Sequence, residues 1–105
     1  MTTFDKREEG FEKKFAIDEE LKFKADARCN RLLGLWVAGQ LGLTGDAASA
    51  YARQIVSADF DGAGHVARKV TADLAAKGIS VSEPELSAKM KELMALAIAQ
   101  VRAGN

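Results

Sequence analysis

The residue types best suited to nucleophilic catalysis or zinc binding occur once each in this chain, as His65 and Cys29. A thiol beside an imidazole can serve as nucleophile and base, and both side chains are common zinc ligands. One residue of each type is too few for a zinc tetrad, and Cys29 falls on the apolar face of a predicted helix. We therefore interpret Cys29 as a small buried hydrophobic residue, with a Cys29–His65 catalytic pair as the alternative.

Two further motifs resemble sites without meeting their requirements. The segment from Gly62 to His65 contains two glycines, but it lacks the strand, the Lys-Ser/Thr pair and the full glycine spacing of a phosphate-binding loop. We interpret it as a helix stop followed by a surface histidine. The acidic run 18–20 is what the helix macrodipole favours in a first turn, and this explains it without acid and base catalysis. The sequence therefore predicts a protein that is not an enzyme and that uses no metal and no cofactor.

The composition predicts one small soluble domain that stays in the cytoplasm. The 105 residues carry 15 basic and 15 acidic side chains, so the net charge is zero and the positive surface of a nucleic-acid binder is missing. No apolar run approaches the roughly 20 residues of a membrane span, and the first residues do not form a signal peptide. The single cysteine fits a reducing compartment. We therefore expect neither nucleic-acid binding nor membrane insertion.

Apolar residues at spacings of three and four predict a long first helix from Asp18 to Leu41. Gly42 is its predicted terminator, and the Thr44 hydroxyl is expected to cap a second helix that continues to about Asp61. The predicted buried face of the first helix comprises Leu21, Ala25, Cys29, Leu32 and Trp36. The apolar positions of the second helix are Ala48, Tyr51, Ala52, Ile55 and Ala58.

The second half of the chain predicts two more helices. A third helix is expected to end before Gly78, and a capping box formed by Ser82 and Glu85 is expected to open a fourth. The third carries Val66, Val70 and Leu74, and the inner face of the fourth comprises Leu86, Met90, Leu93, Ala97 and Val101. Four helices with short connections predict an all-α fold, a small four-helix bundle in which sequential helices are neighbours.

The N-terminal segment, residues 1–17, differs from the bundle predicted for residues 18–105. Phe4, Phe11 and Phe15 lie within its most charged stretch, and on a helix they fall within about 40° of one another. The charge density and Gly10 leave the segment flexible when it is alone. We expect a partner to supply the groove that covers this phenylalanine stripe, although packing of the segment back onto the bundle is the alternative.

The phenylalanine stripe and the predicted buried face of the first helix point in different directions. On one continuous helix, the stripe is predicted to be rotated by roughly 80° from the mean direction of Leu21, Ala25 and Leu32. A helical N-terminus could then face a partner while the first helix still faces its own bundle.

Two segments of the sequence are distinctive: residues 11–25, which read FEKKFAIDEELKFKA, and residues 30–36, which read NRLLGLW. With these segments the chain closely resembles the zeta subunit of alphaproteobacterial F-type ATP synthases, an intrinsic ATPase inhibitor, and the similarity covers nearly the whole chain. Ile17 stands where a histidine is expected in relatives, and Cys29 where an arginine is expected. The resemblance therefore implies neither a histidine-based pH response at residue 17 nor a cationic contact at residue 29.

The resemblance implies a regulatory helical bundle that blocks ATP hydrolysis. Its N-terminal segment would fold as a helix in a catalytic interface between alpha and beta subunits and would stop rotation of the gamma subunit in the hydrolysis direction. The implied partners are the alpha, beta and gamma subunits of the catalytic head, at the inner face of the plasma membrane. The predicted partner-binding residues are Phe4, Lys6, Arg7, Phe11, Lys13, Lys14 and Phe15.

Another class of function stays open at this point. A helical small-molecule sensor could bind a nucleotide between its helices and use the N-terminus as a responsive lid. Weak nucleotide binding is compatible with either function. A helical enzyme is disfavoured because the sequence offers no convincing nucleophile and base.

Overall fold

Four helices make up the part of the chain that the computed structural model describes. The backbone is described for residues 2–62 and 64–104, and the side chains for residues 19–62 and 64–104. The helices are α1 (Thr2–Gln40), α2 (Gly45–Phe60), α3 (His65–Ala76) and α4 (Glu83–Arg102), and these ranges contain no strand. The predicted all-α four-helix bundle is confirmed.

α1 is longer than predicted, because its backbone is helical from Thr2 and not only from Asp18. Gly10, although glycine costs about 1 kcal/mol inside a helix, does not interrupt it. The side chains that precede Glu19 lie outside the described side chains. The flexibility predicted for residues 1–17 in the free protein, and the division of the chain at residue 18, therefore stay predictions.

Glycines end α1 and α3 in the same way. Gly42 follows α1 with a φ of +80°, and the Leu43 N–H donates a 2.8 Å hydrogen bond to the Ala38 carbonyl. Gly78 follows α3 with a φ of +81°, and the equivalent bond from the next N–H measures 2.9 Å. This pattern is the Schellman motif, in which glycine adopts a left-handed conformation without a Cβ penalty. Both predicted helix stops are confirmed.

The two predicted N-caps have different outcomes. Ser82 and Glu85 form the expected capping box, in which each side chain accepts a hydrogen bond from the backbone N–H of the other, at 3.2 and 3.3 Å. Thr44 occupies the N-cap position of α2, but its side chain makes no capping hydrogen bond, so the role predicted for its hydroxyl is wrong. Gly45, the first residue of α2, has a φ of +56°, which is not the backbone conformation of a regular helix. The N–H groups of the first turn are therefore not placed to donate to the Thr44 hydroxyl as they would be in a regular helix.

α1 is the central helix, because α2 and α4 both pack along it. α4 runs antiparallel to α1: the Lys89 ammonium lies 5.2 Å from the centroid of the Trp36 ring, and Arg28 donates a 3.2 Å hydrogen bond to the Gln100 side chain. Helices that are adjacent in the sequence pack together, as predicted, in the pairs α1–α2 and α2–α3. The main packing partner of α4 is α1, the first helix of the chain.

α2 also runs antiparallel to α1 and approaches it closely. A Cβ atom added to Gly34 would lie 2.6 Å from the Cα atom of Ala52 and 3.2 Å from Ile55. Real Cβ atoms do not come this close to another carbon, so the helices cross at a distance that a glycine permits and an alanine does not. The absence of a side chain at Gly34 therefore allows the short distance between α1 and α2.

α2 and α4, which both pack on α1, end beside the same turn of α1. Phe23 of α1 and Phe60, the last residue of α2, line the same cleft. Leu21 of α1 and Arg102, the last residue of α4, line another. α1 begins at Thr2, so its first turns lie beyond the ends of both helices.

Most predicted core positions in α2, α3 and α4 are confirmed. Ala48, Met90 and Val101, which were also predicted to face inward, are partly buried. The confirmed buried residues are Tyr51, Ala52, Ile55, Ala58, Val66, Val70, Leu74, Leu86, Leu93 and Ala97.

The predicted buried face of α1 needs correction. Ala25 and Cys29 are buried as expected, whereas Leu21, Leu32 and Trp36 are only partly buried. Five further residues of α1 are buried that were not predicted to be, namely Asn30, Leu33, Gly34, Val37 and Ala38. Since α1 is covered by more than one helix, its buried surface is wider than a single stripe.

The phenylalanine side chains lie outside the described ones, so the rotation predicted between the stripe and the buried face of α1 stays a prediction. The buried residues Ala25, Cys29, Leu33 and Val37 follow one another at spacing four. At 100° per residue on an ideal helix, their mean direction coincides with that of positions 4, 11 and 15. Asn30, Gly34 and Ala38 are also buried and extend the buried face away from that direction.

Candidate partner-binding site

Cys29 is a structural residue of the core. It is buried, and its Sγ atom lies 3.7 Å from the Met90 carbonyl oxygen, to which it donates a weak hydrogen bond. Burial raises the pKa of the Cys29 thiol above its ordinary value, and the carboxylates of Asp26 and Asp59 raise it further. His65 lies exposed at the start of α3, so the two residues do not form a nucleophile–base pair. Our interpretation of each residue is confirmed.

The described side chains offer no metal site. Among residues 19–62 and 64–104, no three His, Cys, Asp or Glu side chains are placed to hold a metal ion together. Within the described helices, none has both the length and the apolar character needed to cross a bilayer.

The predicted partner-binding residues all belong to the first part of α1. Their side chains lie outside the described ones, so the structure neither places them nor brings them together. Their role stays a prediction. These residues are Phe4, Lys6, Arg7, Phe11, Lys13, Lys14 and Phe15.

An exposed aromatic pair that was not predicted from the sequence lies at the end of the bundle. Phe23 is 71% exposed and Phe60 is 76% exposed, and the two line one cleft together with Ala27 and Val56. We call these four residues the Phe23 surface. The signal was present in the sequence, because neither phenylalanine belongs to the predicted buried face of its helix. The Phe23 surface lies where α1 leaves the bundle.

A positively charged groove adjoins the Phe23 surface on the side of α4. Its volume is about 640 Å³, which lies in the range usual for a ligand-sized cleft. Phe23, Ala27 and Val56 line it, and three cationic side chains and no carboxylate are among its lining residues. The cations are Lys24, Arg28 and Arg31.

Two of the three cations of this groove, Arg28 and Lys24, contact other side chains of the protein. Arg28 donates a hydrogen bond to the Gln100 amide oxygen at 3.2 Å, which anchors its guanidinium against α4. Lys24 pairs with Glu20 at 3.5 Å, but both side chains are largely exposed, so the pair contributes little to stability. The groove therefore keeps a positive edge beside an apolar surface.

A helical module with a buried thiol and an exposed apolar surface is typical of the class of small binding proteins. The family model of ATPase inhibitor subunit zeta matches residues 1–100, and the chain belongs to this family. Membership confirms the resemblance of the sequence and the role of an ATPase inhibitor, a regulatory protein.

The solved structures provide a second comparison. The chain is similar to a protein whose structure was determined by solution NMR, with 50% sequence identity and a TM-score of 0.69. The match covers 81% of this chain and 99% of that one. No curated protein matches the chain significantly.

Proposed function

We propose that this protein inhibits ATP hydrolysis by an F-type ATP synthase through residues 1–17, which fold as a helix in an interface between alpha and beta subunits. The observation that carries the proposal is the family match, because it spans residues 1–100 and so includes this segment as well as the bundle. Residues 18–105 form the domain that holds the segment at the catalytic head. The inserted helix blocks the rotation of the gamma subunit that hydrolysis requires.

The length of α1 supports this mechanism. Its backbone begins at Thr2, whereas α2 and α4 end near Phe23 and Leu21. At about 1.5 Å per residue, α1 extends roughly 28 Å past the bundle. A helix of this length can enter a cleft between two subunits while the bundle remains on the outer surface.

The helical register gives further support. On an ideal helix, positions 4, 11 and 15 fall within about 20° of the mean direction of Ala25, Cys29, Leu33 and Val37, which are four of the buried residues of α1. Within the bundle, other helices cover that face, but α2 and α4 end before α1 does. We therefore expect the partner to cover the phenylalanine stripe in the complex, as the neighbouring helices cover α1 in the bundle.

Burial of the phenylalanine stripe alone does not supply enough free energy for the segment to bind. Burying three phenylalanines contributes about 5 to 9 kcal/mol, whereas ordering some fifteen backbone residues costs at least about 15 kcal/mol. New helical hydrogen bonds and ion pairs with the partner supply part of the difference. The proposed ion-pairing residues are Lys6, Arg7, Lys13 and Lys14. A second contact made by the bundle supplies another part, because it makes binding of the segment an intramolecular step.

A hydrolysis assay tests the proposal. Purified F-type ATPase is titrated with the full-length protein and with a variant that lacks residues 2–15. We expect inhibition by the full chain and none by the variant, whose circular dichroism should still show a folded bundle because the core begins at Ala25. Full inhibition by the folded variant would place the active element in the bundle and would contradict the proposed mechanism.

A further inference from the structure

We propose that the Phe23 surface is the second contact of this inhibitor with the ATPase, and that it docks on an apolar patch bordered by acidic side chains on the outside of the catalytic head. This inference rests on the proposed function. It assigns a role to residues of the bundle, whereas the proposed function assigned one to residues 1–17.

The two aromatic side chains of the Phe23 surface are unusually exposed. Phe23 and Phe60 are the most exposed of the large hydrophobic residues among the described side chains, at 71% and 76%. Ala27 and Val56 lie between them in the same cleft, so the two rings belong to one contiguous patch formed by α1 and α2. Contiguous exposed apolar surface on a small protein is typical of an interaction site, and exposed aromatic residues are preferred anchors.

The position of the Phe23 surface also favours a contact with the ATPase. Phe60 is the last residue of α2, and Phe23 lies close to it where α1 leaves the bundle. Eight positions separate Phe23 from Phe15, which corresponds to about 12 Å along a helix. If α1 is continuous in the complex, as its backbone is in this structure, insertion of the segment brings the Phe23 surface against the rim of the same cleft.

The two edges of the Phe23 surface carry charges of opposite sign. The edge of the surface nearest α4 carries Lys24, Arg28 and Arg31, although the whole chain has a formal net charge of zero. The opposite edge, beside Phe60, carries the carboxylates of Asp26 and Asp59. An apolar surface between a positive and a negative edge fixes the orientation of its partner. The acidic side chains of the partner therefore face the groove that contains Arg31.

The apolar part of the proposal is tested with the full-length double variant Phe23→Ser/Phe60→Ser. Its matched control is Leu96→Ser, which changes an exposed apolar residue of α4 that is 46% exposed and lies outside both clefts of the Phe23 surface. We expect the concentration for half-inhibition of ATP hydrolysis to rise by about tenfold or more for the double variant and to change by less than about twofold for the control. Maximal inhibition should be preserved, because residues 1–17 are intact.

The electrostatic part is tested by reversing one charge. Arg31→Glu places a carboxylate in the positive groove, while Lys77→Glu makes the same charge change at an exposed residue just after α3. We expect weaker inhibition for Arg31→Glu only, with a loss that shrinks as the salt concentration rises. Circular dichroism and thermal midpoints should match wild type for all four variants, since every altered residue is exposed or nearly half exposed.

The outcomes separate this inference from the function on which it rests. Failure of the wild-type chain to inhibit would overturn the proposed function itself. If the wild-type chain inhibits and the double variant inhibits with the same potency, only the docking role of the Phe23 surface would be overturned. A wild-type dimer in sedimentation experiments that the double variant dissociates would assign the surface to self-association, and localised amide shifts in the groove on titration with ATP would assign it to a nucleotide. Either result would overturn docking on the ATPase.

Discussion

The Tyr51 hydroxyl donates a 2.7 Å hydrogen bond to Asp73 Oδ2, which ties α2 to α3 at the edge of the core. Lys69 lies 3.1 Å from the same oxygen, and its ammonium is 5.3 Å from the centroid of the Tyr51 ring. One carboxylate thus joins a buried hydroxyl to a partly exposed cation. These contacts hold α3, which packs mainly on α2, in a single orientation.

Stability should depend on Tyr51 at alkaline pH. Burial raises the pKa of Tyr51 well above the ordinary value of about 10, and the hydrogen bond to Asp73 and the charge of that carboxylate raise it further. Above that ordinary value the unfolded chain releases the phenolic proton while the folded chain keeps it, so the free energy of unfolding falls as pH rises. Urea denaturation at about pH 8 and about pH 11 should show this fall in wild type and a smaller one in Tyr51→Phe. An equal fall in both proteins would contradict the prediction.

Gly34→Ala should destabilise the bundle. A Cβ atom there would meet the Ala52 backbone at 2.6 Å, and overpacking of this kind typically costs about 1 to 3 kcal/mol, more than the gain of up to about 1 kcal/mol in helix propensity. Gly39→Ala in the same helix is the control, because a Cβ at that position meets nothing within 4 Å. Thermal unfolding should show a lower midpoint for Gly34→Ala and an unchanged or higher one for Gly39→Ala.

The Cys29 thiol should react slowly in the folded protein. Its burial and its raised pKa both reduce the amount of accessible thiolate, which is the reactive form. Labelling with a disulfide reagent at neutral pH should be slow in buffer and fast in denaturant. Rapid stoichiometric labelling of the native protein would show that the α1 and α4 contact around Cys29 opens readily.

The N-terminal segment should be mobile in the free inhibitor. Its charge density and Gly10 weaken the helix where α2 and α4 no longer cover it. Amide order parameters for residues 2–15 should fall clearly below the value of about 0.85 that is typical of rigid helices. Values as high as those of α4 throughout the segment would favour packing on the bundle or a rigid preformed helix.

Inhibition should depend on the phenylalanine stripe itself. Phe11→Ala and Phe15→Ala should each weaken inhibition, because truncating a packed phenylalanine costs about 3 to 5 kcal/mol in protein cores. Glu12→Ala is the control, since position 12 lies about 100° from position 11 on a helix. Inhibition curves against one ATPase preparation should separate the three variants, while their thermal midpoints stay within about one or two degrees of wild type. Equal potency of Phe15→Ala and wild type would remove the stripe from the binding face.

Local patterns in the sequence were sufficient for the four helices and for most of their ends, although not for the start of α1. The helix ends at Gly42, Gly78 and the Ser82 capping box depend on residues within one or two turns. They can therefore be predicted from the sequence without knowledge of any tertiary contact. The apolar spacing of α2, α3 and α4 was equally informative, because most of the positions that it marked are buried. The prediction for Thr44 was wrong because the conformation of Gly45, which no spacing rule describes, decides whether a hydroxyl can cap the helix.

The sequence by itself determined the fold class and, through its resemblance to a family, the kind of partner. Only the tertiary structure decided that α1 is central and that Leu33 and Val37 are its largest fully buried residues, because the width and direction of a buried face depend on how many helices cover it. The same holds for Phe23 and Phe60, which are 37 positions apart in the sequence and line one cleft. Their proximity results from the antiparallel packing of α1 and α2 at Gly34, a contact between distant parts of the chain that no local pattern encodes.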